Sequence, residues 1–230
     1  MKNSIYLFLI AIVLIAAQSC GTSAKVTKEV AYANLYSERP LAIAVMPPIN
    51  NTNNVEAKEF FYTTVPRVLS ERGYYVLSPF LCMELFKSES AYDAEMFIDG
   101  SLERFREILG ADAVLFTTII NWKKSAIGST VTVTVEYNLR STITNESLFH
   151  RKGTIVYDTS VSSSGGGLLG ALVAVAASAL VTAATDYIEV ARACNQTTIA
   201  DMPAGKYHSL HNTDQQILAG PKEFSATVKK

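Results

Sequence analysis

Cysteine is scarce, positive charge is not in excess, and no apolar run is clearly long enough to span a membrane. Each shortage bears on function. The 230-residue chain holds three cysteines, Cys20, Cys82 and Cys194, and their spacing fits no zinc pattern. Cys82 and Cys194 could pair in an oxidising compartment, but as small apolar residues they read more simply as buried free thiols. Twenty Lys and Arg stand against 21 Asp and Glu, a net charge of −1. Without a clustered basic face, nucleic acid is not an expected partner. No Gly-x-Ser-x-Gly elbow is present to present a hydrolase nucleophile. Gly165-Gly166-Gly167 lacks the Gly-Lys-Ser/Thr ending that lets a glycine loop bind phosphate. The three histidines are His150, His208 and His211. His208 and His211 could be drawn with Asp201 and Asp214 as a metal cluster, but two histidines three apart in a loop are commonly just solvated. Glu71, Glu84 and Glu103 fall on helix faces as solvated charge. No enzymatic activity, cofactor or metal is expected.

What is present begins with an address. Lys2 opens a basic head, Ile5 to Ala17 is a run of 13 apolar residues, and Ala17-Gln18-Ser19 leads directly into Cys20. Charge, apolar stretch and small-residue cleavage zone in that order read as a secretory signal peptide over residues 1–19. The run falls short of the roughly 20 residues that a spanning helix needs. A cysteine at the cleavage point resembles the lipobox of bacterial lipoproteins. That resemblance implies that Cys20 becomes the acylated, palmitate-bearing N-terminus, the alternatives being an ordinary cleaved signal peptide or an uncleaved anchor. Two or more acyl chains hold a protein stably at a membrane, and residues 20–36 read as the lipidated tether. No Asp follows Cys20 and no acidic cluster comes after it. By analogy with other lipoproteins, this points to the periplasmic face of the outer membrane.

The remainder predicts one domain over residues 37–212 and a surface tail over 213–230. Leu41 to Met46 is a short apolar run suited to a strand buried on both faces, ended by Pro47-Pro48. The INNTNN loop follows, where Asn53 or Asn54 can cap a helix. From Val55 to Leu69 apolar positions recur at helical spacing, with Pro66 expected to kink or split the helix and Gly73 to end it. Tyr74 to Leu77 is a second strand, with Tyr74-Tyr75 read as one core ring and one exposed ring. Residues 80–98 read as weak helix and loop, and 102–109 as a helix stopped by Gly110. Ala111 to Ile120 is a third buried strand. This order predicts parallel pairing with crossover helices. Val131 to Leu139 then alternates apolar with polar, and Leu148 to Tyr157 returns after a turn as an antiparallel partner, with Gly153 a candidate bulge. After Ser162 to Gly167 comes a 17-residue run of small and aliphatic residues, Leu168 to Ala184. It reads as the start of a buried helix continuing to Cys194, or as a membrane-inserting or oligomer-forming one. Gly166, Gly170, Ala174, Ser178 and Thr182 form a small-residue ridge along it. The expected fold class is α/β: a mixed sheet whose first half is parallel βαβαβ, then an antiparallel hairpin, then a long C-terminal helix.

Four blocks carry a family resemblance: Met46-Pro47-Pro48-Ile49-Asn50-Asn51-Thr52, Arg72-Gly73-Tyr74-Tyr75-Val76, Leu109-Gly110-Ala111-Asp112-Ala113-Val114-Leu115 and Met202-Pro203-Ala204-Gly205-Lys206-Tyr207-His208. Together they resemble domain-of-unknown-function family 799, bacterial lipoproteins that include a meningococcal vaccine candidate. The resemblance implies a domain similar to the N-terminal domain of TolB and to the periplasmic domain of the curli secretion lipoprotein CsgG. It also implies work in envelope transport or assembly beside other lipoproteins, and it supplies no catalytic residue. A CsgG-type pore needs long membrane-crossing hairpins, and the connection Asn121 to Ser129 is too short for one. The expected role is a non-enzymatic, lipid-anchored subunit or scaffold of an envelope complex. Its partners would be the membrane, through Cys20, and envelope proteins or other lipoproteins; a homo-oligomer along the ridge remains open. The alternative is a ligand- or glycan-binding sensor using Asn50, Asn51, Thr52 and Asn53, at the strand end where open α/β sheets place their crevice.

Overall fold

The computed structural model describes residues 25–88, 94–125, 129–160 and 186–230. Cys20 and the ridge Gly166, Gly170, Ala174, Ser178 and Thr182 lie outside the described residues. Two short helices, α1 (Lys28–Ala31) and α2 (Ala33–Glu38), precede β1 (Ala42–Val45) and β2 (Ile49–Asn50). Helix α3 (Ala57–Glu71), β3 (Tyr75–Val76), α4 (Pro79–Ser88) and α5 (Glu103–Leu109) follow. Then come β4 (Ala113–Lys124), β5 (Thr130–Ser141), β6 (Ser147–Asp158), α6 (Tyr187–Ile199) and β7 (Glu223–Lys229).

These strands form one mixed α/β sheet in the order β3-β1-β4-β5-β6-β7, with β2 also paired to β4. β1 pairs parallel with β3 and with β4, the expected βαβαβ half. β4, β5 and β6 pair antiparallel, the expected hairpin half. β1 is buried along nearly its whole length because helices cover both of its faces. On one face Ile43, Val45, Phe61, Leu115, Val135, Tyr137 and Cys194 share a core beneath α3 and α6. On the other, Ala44, Met46, Cys82, Phe105, Val114 and Phe116 pack with α4 and α5. Full burial of a side chain such as Phe61 or Leu115 contributes about 1.5–3 kcal/mol. The strict alternation along β5 survives as buried valines on one face and half-buried threonines on the other. Tyr74 is buried and Tyr75 exposed, as expected. Cys82 and Cys194 are free thiols, buried in clusters on opposite faces of the sheet.

Several local expectations are corrected. Pro66 lies inside α3, which continues unbroken to Glu71. Neither Asn53 nor Asn54 caps that helix; Glu56 holds the N-cap position and makes no side-chain bond there. Gly153 is no bulge. It pairs in register with Val135, and its missing side chain admits Thr198 and Phe224, whose atoms would lie 2.6 and 2.9 Å from a β-carbon there. The register shifts instead fall beside Ile120 and beside Leu148. The first re-phases β4, which runs on to Lys124 where a loop was expected. Trp122 consequently pairs with Val133 on the helical face and stacks edge-on against Tyr187, ring centres 5.5 Å apart. Both chain ends also depart from expectation. Part of the expected tether folds as α1 and α2, and the expected tail supplies β7, parallel to β6. Helix α6 reaches Ile199, five residues beyond the expected Cys194.

Candidate functional site

Acid and base side chains from three separate segments converge where the two ends of the domain meet. α1 delivers Lys28, the end of α3 delivers Arg72, and the segment after α6 delivers Asp201 and Asp214. Asp214 is buried; its carboxylate accepts from the Tyr36 hydroxyl at 2.8 Å and from the Ala204 amide at 2.8 Å. The Lys28 ammonium and the Arg72 guanidinium lie 4.0 and 3.9 Å from the same oxygen. Arg72 also donates to the Met202 carbonyl. Asp201 accepts from the Tyr32 hydroxyl and, at 3.0 Å, from the Gly220 amide. Burial, with the neighbouring Arg72, pushes the Lys28 ammonium below its ordinary pKa. Burial and the bonds to Asp201 and Asp214 push the Tyr32 and Tyr36 hydroxyls upward.

Main-chain bonds complete the junction. The amides of Lys28 and Glu29 donate to the carbonyls of Ile217 and Gln215, and Ala219 donates to Val26. Thr27 bridges to Leu218. Residues 25–29, which lie within the expected tether, are thereby clamped to 214–219. The pairs Asp201/His208 and Asp214/His211 form no ligand set: both aspartates serve this junction, and among the described residues no group of three potential ligands is placed to hold a metal ion. His211 Nδ1 lies 3.2 Å from the Ala204 carbonyl, and His208 Nδ1 accepts from the Leu210 amide. His150 pairs with Glu136 at 2.6 Å on the polar face of β5 and β6.

The asparagine loop is largely occupied with itself. Asn50 donates to the Asn54 carbonyl at 2.7 Å and accepts from the amide and hydroxyl of Thr52. The Thr52 hydroxyl in turn accepts from the Asn54 amide. Asn51 and Asn53 are the exposed members. A deeper opening lies elsewhere. A cleft of about 540 Å³ is bounded by α2, the chain leading into β1, and residues 204–212.

Residues 30–222 match the family described as "Putative lipoprotein GNA1162-like". The chain belongs to this family. It is 29% identical over 157 residues to lipoprotein NMB1124/NMB1162 of Neisseria meningitidis serogroup B, covering 67% of this chain and 72% of the relative. The crystal structure of lipoprotein GNA1162 from Neisseria meningitidis superposes with a TM-score of 0.48 at 28% identity, over 61% of this chain and 98% of that one. The C-terminal domain of LpoB from Escherichia coli superposes with a TM-score of 0.35 at 15% identity, over 55% and 93% of the two chains. The matched region takes in Tyr32, Tyr36, Arg72, Asp201 and Asp214 and thus most of the acid–base junction. Lys28 lies just before the matched region.

The missed members of the junction had little to betray them. Lys28 and Arg72 are single charges with no pattern, and their partners stand more than a hundred residues away. Asp201 and Asp214 were visible only as neighbours of two histidines.

Proposed function

We propose that this protein is a non-enzymatic lipoprotein subunit, held by acyl chains on Cys20 at the periplasmic face of the outer membrane, that serves as a scaffold in an envelope transport or assembly complex. The clamp between residues 25–29 and 214–219 carries the reading. Lys25 lies five positions after Cys20, at most about 18 Å of extended chain. A lipid on Cys20 therefore holds the clamped side of the domain close to the bilayer, and the clamp converts a loose leash into an oriented mount. Membership of a lipoprotein family supports the anchor. The perturbed hydroxyls support a scaffold over an enzyme, since Tyr32, Tyr36 and Tyr137 are all spent on structural partners. The exposed apolar side chains of Tyr75 on the edge strand β3 and of Phe80 and Leu81 in the first turn of α4 offer a surface for a protein partner.

In-cell cross-linking and affinity capture of the full chain beside Cys20→Ala tests the proposal. A defined envelope partner recovered only with the lipidated form is the expected result. Recovery of the protein alone, or no label at Cys20 from a fatty-acid probe, contradicts it. A second reading, a ligand- or glycan-binding sensor, draws on the exposed Asn51 and Asn53 beside Asn50 and Thr52. It requires a ligand whose thermal stabilisation of the protein disappears when Asn51 and Asn53 are replaced by alanine.

A further inference from the structure

Three non-glycine residues among those described hold a left-handed backbone: Arg39 (φ 49°), Asn145 (φ 60°) and Asn212 (φ 58°). Two of them, Arg39 and Asn212, line the same 540 Å³ cleft. Backbone strain of this kind gathers at binding sites, where the surrounding structure must hold it in place. At Arg39 the strain is avoidable. The residue closes α2, its amide donating to the Leu35 carbonyl at 2.9 Å, and helices most often place glycine at such a position. A guanidinium stands there instead. Its Nε donates to the Tyr36 carbonyl at 3.2 Å, and its terminal nitrogens have no partner among the described residues.

The rest of the lining is consistent in sign. Lys206 enters the cleft from the other segment and forms no ion pair with a described residue. A carbonyl can only accept, so the contact between His211 Nδ1 and the Ala204 carbonyl places the proton on Nδ1 in the neutral ring, and Nε2 has no hydrogen-bond partner among the described residues. No carboxylate lines the cleft, and the Tyr36 hydroxyl is turned to Asp214. Leu35, Pro40, Leu41 and Tyr74 supply apolar surface. The volume falls within the range of small-molecule sites.

We infer that this cleft binds a small amphipathic carboxylate, its carboxyl group taken by Arg39 and Lys206 and its apolar body laid against Leu35, Pro40 and Tyr74. A guanidinium with both terminal nitrogens free can meet a carboxylate through two parallel N–H···O bonds. The site is separate from the asparagine loop and goes beyond the scaffold role.

Isothermal titration of the full chain in non-ionic detergent, with phenylacetate and hexanoate as probes, tests the assignment. Phenylacetamide and inorganic phosphate are the controls. Saturable binding of the acids is expected, with the neutral amide about tenfold weaker or worse, as befits loss of a charge-assisted bond. Arg39→Gln and Lys206→Gln should each weaken binding by a similar factor. Arg39→Gly should weaken it as much while melting no lower than the parent, because glycine relieves the left-handed backbone, so that loss of binding is not loss of fold. Equal binding of acid and amide, unchanged affinity in the variants, or no saturable heat from either acid up to millimolar concentration overturns the inference. Phosphate binding as tightly as the acids also overturns it, since the apolar wall would then contribute nothing.

Discussion

Gly73 and Gly205 meet backbone against backbone. A β-carbon on Gly205 would lie 2.5 Å from the Gly73 carbonyl oxygen, and one on Gly73 would lie 2.4 Å from the His208 amide nitrogen. The contact is hydrogen-bonded on either side: Gly205 donates to the Arg72 carbonyl at 2.8 Å and Tyr207 to the Gly73 carbonyl at 3.0 Å. Two blocks of the family resemblance, far apart in sequence, are therefore one contact in space. Alanine at either position should destabilise the fold by about 3 kcal/mol or more, because main-chain atoms cannot move aside cheaply. Gly110 is the control. It also has positive φ, but nothing lies within 4 Å of its absent β-carbon, so Gly110→Ala should cost only the left-handed penalty of about 1–2 kcal/mol. Urea denaturation of the three variants measures the difference.

Removing Asp214 should loosen the clamp. Asp214→Ala leaves Lys28 and Arg72 facing each other without their carboxylate and strips acceptors from Tyr36 and Ala204. Breaking one side of a buried ion cluster typically costs about 3–5 kcal/mol. Lys28→Met instead removes a desolvated charge and leaves Arg72 on Asp214, so its effect should stay within about 1 kcal/mol. Limited trypsin digestion should release the 25–38 segment from the first variant sooner than from the parent.

A buried polar chain joins the sheet to both helices above it: the Tyr137 hydroxyl donates to Asn195, and Asn195 donates to Thr64 Oγ1 at 2.7 Å. All three residues are buried. Tyr137→Phe should cost about 1–3 kcal/mol, because the Asn195 oxygen is left bare. Combined with Asn195→Leu it should cost less than the two single changes added together. A double-mutant cycle by chemical denaturation reads that coupling.

Alkali should unfold the protein cooperatively. Burial pushes up the hydroxyl pKa of Tyr74 and Tyr137, and burial with the bond to Asp201 does so for Tyr32. In the unfolded chain these groups ionise near pH 10. The folded state holds their protons more tightly, so their stabilisation is complete below about pH 10 and is lost as pH rises above it. The loss is about 1.4 kcal/mol per pH unit for each such tyrosine. Lys28 acts in the opposite sense: its lowered pKa means that deprotonation relieves a burial penalty up to its unfolded value of 10.5. One lysine does not offset three tyrosines. Tyrosinate absorbance and circular dichroism should change together; independent ionisation of all tyrosines near pH 10 with the fold retained would contradict the assignment.

Cys82 and Cys194 should resist thiol reagents. Burial pushes both thiols above their ordinary pKa, and the sheet stands between them. Ellman's reagent should label neither until the chain is unfolded, and mass spectrometry should find no bridge joining them.

Much of the fold was legible in local patterns. Short continuous apolar runs marked β1 and the buried part of β4, period-two alternation marked β5 and β6, and Gly73 and Gly110 marked helix ends. β7 carried a usable signal as well: Phe224, Ala226 and Val228 alternate with polar residues and are half-buried, a pattern easily passed over beside a polar terminus. Other features left no local trace. Nothing in Ile119-Ile120-Asn121 announces a bulge, because a bulge is a relation between two strands.

By itself the sequence determined the class of fold, the family and the expected lipid address, since these rest on short-range periodicity and contiguous motifs. Tertiary structure alone decided the clamp of Lys28 and Arg72 on Asp214, the meeting of Gly73 with Gly205, and the cleft that gathers Arg39, Lys206 and His211. The physical reason is the same in each case. A charge, a glycine or an imidazole carries no periodic signal, and its role depends on partners that only the folded chain brings within a few ångströms.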